Sequence, residues 1–216
     1  NYHATSNTLA NQALAKGLFA TLLPMIPLGL VILPFTISFG RDMADGVTTR
    51  FVLFGYRMAK QLVAKFVSVA ILVSLVTVVY CLVLYQVLPL PSMSMLSLAN
   101  VFASTMILTA ALYLLSFAIA QVFKGFNMIQ GVAMVCYFGI AFLTGSMGTF
   151  QLPRTLEKAI EWIPFAAIRE TLKMHWGSNT VTDMQTEWFK LIVFLLITLF
   201  LFGLAEFYRR LKIHAV

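Results

Sequence analysis

The stretch FVSVAILVSLVTVVYCLVLYQVL, Phe66–Leu88, contains no charged residue, no proline and no glycine. A helix rises about 1.5 Å per residue, and a bilayer's hydrocarbon core is about 30 Å thick. This run is long enough to cross that core, which a soluble core helix has no need to do. Four more apolar runs flank it: Gly17–Phe39, Ser97–Phe123, Asn127–Phe150 and Phe189–Phe207. Pro89 and Pro91, in LPLPSMS, break the chain after the second run, and Lys124-Gly125-Phe126 forms a tight turn between the third and fourth.

Composition agrees with the pattern. Of the 216 residues 60% are hydrophobic and 11% charged, and the mean hydropathy is +0.89. A soluble domain carries roughly a quarter charged residues. The expected fold is an all-α integral membrane protein, a helical bundle forming one transmembrane domain over 1–216. Its spans are 17–39, 66–88, 97–123, 127–150 and 189–207. Between the first two lies a segment, 41–65, expected on the cytoplasmic side; an external loop, 151–188, precedes the last. Cys81 and Cys136 fall inside apolar runs and read as small packing residues. His3, His175 and His214 have no metal-ligand spacing. No metal site, catalytic site or nucleic-acid-binding surface is expected.

Basic residues orient the bundle. Arg41, Arg50, Arg57, Lys60, Lys65, Lys124, Arg209, Arg210 and Lys212 fall on one side with Asp42, Asp45 and Glu206, a net +6. Lys16, Arg154, Lys158, Arg169, Lys173 and Lys190 fall on the other with five carboxylates, a net +1; the two sides make up the formal +7 of the chain. The first side is expected in the cytoplasm, with the C-terminus inside and Asn1 outside. No signal-peptide pattern precedes the first span. An outside start without one leads to the expectation of a sixth, N-terminal helix upstream.

GRDMADGVTTRFVLFGYRMAKQLVAKF (Gly40–Phe66) is then a cytoplasmic connection. On a single helix, Met43, Val47, Phe51, Phe54, Met58 and Leu62 share one arc, flanked by Arg50, Arg57 and Lys60. Gly46 and Gly55 are positions where the chain can bend, and Asp42 and Asp45 suit a helix start. Such a basic amphipathic segment either anchors a loop to anionic lipid or docks on a partner. LPRTLEKAIEWIPFAAIRETLK (Leu152–Lys173) is a second amphipathic segment, read as a structural cap or an external gate.

These two segments resemble the membrane subunit of an ABC exporter of the ABC-2 permease type. The resemblance rests on Arg41-Asp42, Asp45-Gly46, Arg50 and Lys65-Phe66 early in the chain, and on Pro153, Trp162, Pro164, Arg169 and Glu170 late. The family's usual proline in the first segment is absent, and Gly55 takes its place. The resemblance implies a cytoplasmic coupling helix with Arg41, Asp42, Asp45, Gly46, Thr48, Arg50 and Arg57 contacting a soluble ATP-binding subunit. It implies an external gate at Pro153, Trp162, Pro164, Arg169 and Glu170. It also implies a second permease subunit, like or unlike, in a bacterial plasma membrane.

The chain has no G-x-x-x-x-G-K-[ST] motif, so ATP and Mg are expected on the partner and no cofactor on this chain. Away from their ends the spans lack ionisable side chains, which argues against ion coupling. Pro24, Pro27 and Pro34 are expected to kink the first span. Phe35, Thr36, Phe39, Phe138 and Phe142 are candidates for a substrate path. The expected cargo is an amphipathic peptide, drug or lipid-like molecule, or alternatively a lipid-linked glycan. Two other classes use the same features differently. A channel or membrane scaffold would use the basic segment only as an anchor. An intramembrane serine protease would need a base for Ser146, and the spans carry no histidine.

Overall fold

The computed structural model describes residues 2–56, 58–88, 90, 95–123, 125–143, 158 and 181–214. All regular structure among them is helical. Five helical segments are long and apolar enough to cross a membrane: Asn11–Ala44, Ala59–Val87, Leu98–Val122, Phe126–Leu143 and Trp188–Tyr208.

The first span is a composite rod. Helix α1 (Tyr2–Leu22) runs into a short turn of helix, α2 (Met25–Pro27), a π-helical turn at Leu28–Ile32, and α3 (Leu33–Ala44). Pro24 and Pro27 have no N–H to give to the preceding turn, so the regular ladder is lost there. Widening into a π turn lets the chain continue without a break. Pro34 lies in the first turn of α3, directly after the π turn. The polar lead-in before Lys16 continues the α1 helix.

Helix α3 ends at Ala44. The Asp45 N–H donates to the Arg41 carbonyl at 2.9 Å and the Gly46 N–H to the Met43 carbonyl at 3.3 Å. Gly46 has φ +67°, the left-handed conformation that closes many helix C-termini. A short helix, α4 (Val47–Leu53), follows, and Gly55 closes it with φ +82° while the Tyr56 N–H donates to the Phe51 carbonyl at 3.0 Å. The long α5 (Met58–Val87) then runs back through the bundle, followed by α6 (Met95–Val122), α7 (Phe126–Leu143) and α8 (Val181–His214).

The single helix expected from Met43 to Leu62 therefore does not form. Two left-handed glycines divide it into the end of α3, the free-standing α4 and the start of α5. Its apolar arc is divided too: Met43 and Leu62 pack against the bundle core, whereas Phe51 and Phe54 stay exposed.

Helix α6 is the centre. It buries 61% of its span, against 17% for each of the spans in α5, α7 and α8. Its buried hydroxyls return to their own backbone. Thr105 donates to the Val101 carbonyl (2.8 Å), Thr109 to Thr105 (2.7 Å) and Ser116 to Leu112 (2.8 Å). Helix α3 packs between α6 and α7, and Gly40 makes that approach possible. A Cβ at Gly40 would stand 2.9 Å from Ile129 Cδ1 and 3.0 Å from its Cγ2.

Candidate functional site

The basic end of the bundle gathers the residues of the α3–α4–α5 connection. Asp42, on the last turn of α3, meets the Lys65 ammonium on α5 in an ion pair. The same ammonium lies 4.9 Å from the centroid of the Phe39 ring, a cation–π geometry. Lys65 therefore ties α3 to α5 directly beneath α4. Arg41, one residue away, places its guanidinium carbon 5.5 Å from the Phe126 ring at the start of α7. At the same end, Gln121 near the end of α6 donates to a Glu206 carboxylate oxygen on α8 at 3.0 Å. Five helices thus take part in these contacts: α3 with α5 and α7, and α6 with α8.

Below this layer lies an aromatic cluster. Phe39 contacts Tyr113 (5.4 Å between centroids) and Phe117 (5.1 Å), Phe66 contacts Tyr113 (5.4 Å), and Phe117 contacts Phe202 (5.5 Å). The two Phe39 contacts are edge-to-face, as ring quadrupoles favour, and the other two are tilted. The Tyr113 hydroxyl donates to the Leu62 carbonyl at 2.8 Å. A tyrosine in an apolar helix needs such a partner, so Tyr113 was the one sequence signal for this cluster.

Above it, α4 presents an exposed surface. Leu53 is 81% and Phe54 80% exposed, with Phe51 and Tyr56 beside them in an edge-to-face contact at 6.1 Å. Arg50 and Lys60 are exposed nearby. Thr48 turns inward and lines a small cavity of about 20 Å³ with Phe39, Gln61, Leu62, Lys65 and Phe117.

Of the expected coupling residues, Arg41, Asp42, Asp45, Gly46, Thr48 and Arg50 all fall on this bracket; Arg57 lies outside the described residues. Of the expected path residues, Thr36 and Phe39 are buried and Phe35 packs on Phe39 and Tyr113. Phe138 and Phe142 are about half exposed on the outer side of α7 and do not join them. Pro153, Trp162, Pro164, Arg169 and Glu170 lie outside the described residues. Among the described residues no group of His, Cys, Asp and Glu could hold a metal ion. Lys65, which the resemblance had marked with Phe66, completes the site together with Gln61, Tyr113 and Phe117; nothing in the sequence marks those three for it, because their roles depend on which helices meet.

Compared with protein-family models, characterised proteins and solved structures, the chain matches none.

Proposed function

We propose that this chain is the permease subunit of an ATP-driven ABC exporter, working with a second permease subunit and two ATP-binding subunits. It moves an amphipathic peptide, drug or lipid-like molecule out of a bacterial cell, with the C-terminus in the cytoplasm. A lipid-linked glycan is the alternative cargo. ATP and Mg belong to the partner.

The observation that carries the reading is α4. It is a short helix bounded by two left-handed glycines, with exposed Leu53 and Phe54, braced from below by Asp42 and Lys65. A helix that merely continued a span would need neither boundary. Closure of the ATPase subunits would press on α4, and the Asp42–Lys65 tie would pass that load to α3 and α5 together. The π turn in the first span is where α3 could tilt against α1.

A photo-crosslinking residue at position 54, in cells, tests this. The expected product is a crosslink to an ATP-hydrolysing subunit, lost when Leu53 is changed to Asp. Crosslinks to lipid alone would leave α4 as an interfacial anchor, and the channel or scaffold reading would replace the exporter.

A further inference from the structure

Beneath α4 the bundle leaves a cavity of about 20 Å³, lined by Phe39, Thr48, Gln61, Leu62, Lys65 and Phe117. Four helices supply these walls: α3, α4, α5 and α6. Most of the surface is apolar. The polar part comes from Thr48 on α4 and from Gln61 and Lys65 on α5.

The Gln61 amide nitrogen is fully buried and bonds to no group among the described residues. A buried donor left unbonded is costly. The Lys65 ammonium is already paired with Asp42, so the corner carries no net charge. It mixes donors with acceptors. Gln61 carries an amide N–H and a carbonyl oxygen, and the Thr48 hydroxyl can serve either way.

Size and charge choose the occupant. A water needs a cavity of about 10–15 Å³, which this one supplies once and not twice. A polyatomic ion is too large for it. A monatomic ion finds no net charge there to repay the loss of its hydration. Water both accepts and donates, as a mixed corner requires. Turning the Gln61 amide over changes nothing, because water would then donate to the oxygen.

We propose that this cavity is a binding site for one ordered water, which accepts from Gln61 Nε2 and bridges α5 to the Thr48 hydroxyl on α4. Among the described residues no direct hydrogen bond joins α4 to α5. A bridging water is nearly as good as a direct bond. It attaches α4 through a partner that can be given up to solvent when the helix moves. The site goes beyond the exporter reading and does not depend on it, since an α4 that only anchors the chain would hold the same water.

The test is nuclear magnetic resonance on the full chain in deuterated lipid nanodiscs, with the leucine and valine methyl groups labelled. Leu62 lines the cavity, and Val69, fully buried on the same helix, is the dry reference. Leu62 methyl protons are expected to show a contact to water, opposite in sign in the laboratory and rotating frames, as for a water that tumbles with the protein. Val69 should show none. Gln61→Leu leaves the Thr48 and Tyr113 hydroxyls and Lys65 in place, so a signal relayed from their protons would persist. A signal from the bound water should fall to the level of Val69. If Gln61→Leu does not fold, Gln61→Met takes its place. No contact at Leu62, a contact of the same sign in both frames, or a contact that survives the loss of the amide would each overturn the proposal.

Discussion

Lys65 reaches from α5 to Asp42 on α3 while resting over the ring of Phe39, so one side chain holds both helices that flank α4. The two charged groups are about a third exposed, at 36% and 29%. Solvent screening limits such a pair to roughly 1 kcal/mol or less. Lys65→Met should cost that much in detergent melts. A double-mutant cycle with Asp42→Asn should place most of the loss in the coupling between them.

Gly40 is a contact residue. Ile129 is buried at 3% exposure and cannot retreat from a new methyl group. Gly40→Ala is expected to cost about 1–3 kcal/mol through overpacking. Adding Ile129→Ala should recover part of the lost melting temperature; no recovery would mean that α3 and α7 do not meet at this point.

The turns around α4 should respond differently to two substitutions. Alanine at Gly46 or Gly55 forces a side chain into a left-handed conformation, at about 1–2 kcal/mol each. Asparagine tolerates that conformation better and should cost less. Protease cleavage near α4 should accelerate with alanine and change little with asparagine.

Phe117 and Phe138 separate packing from lipid contact. Phe117 is 3% exposed inside the aromatic cluster, and Phe117→Ala should cost about 3–5 kcal/mol. Phe138 is 48% exposed, and Phe138→Ala should lower the melting temperature far less. A similar loss at both positions would show that the outer side of α7 is covered by protein.

Thr36 and Thr77 are fully buried, and neither hydroxyl has a hydrogen-bond partner. Valine keeps the shape and removes the unmet polar group, so Thr36→Val and Thr77→Val should be neutral or stabilising, by up to about 1 kcal/mol. Destabilisation on thermal melting would reveal a bond to an ordered water.

The spans were legible because lipid imposes a strong rule: a long run must be mostly apolar and free of charge, and Phe66–Leu88, with no charged residue, satisfies it. The prolines of the first span also announced a disturbance at Pro24 and Pro27. Their outcome, a π turn at Leu28–Ile32, depends on neighbours that composition does not name. The segment between the first two spans was harder. Periodicity from Met43 to Leu62 fits one helix well, and only the backbone angles of Gly46 and Gly55 overrule it. The aromatic cluster was illegible for another reason. In so phenylalanine-rich a chain, nothing local distinguishes Phe117, inside, from Phe138, outside.

The self-bonded hydroxyls of α6 have a mechanical consequence. Thr105, Thr109 and Ser116 give their protons to their own helix, so at these positions the contact with neighbouring helices is one of shape alone. Surfaces joined that way can slip by a fraction of a turn without exchanging a directional bond. The fasteners lie elsewhere, at Asp42–Lys65, Tyr113–Leu62 and Gln121–Glu206 toward the charged end and at Tyr80–Phe19 farther along α5. The helices are pinned around a smooth central rib, which leaves shear along α6 as the motion that breaks the fewest directional bonds.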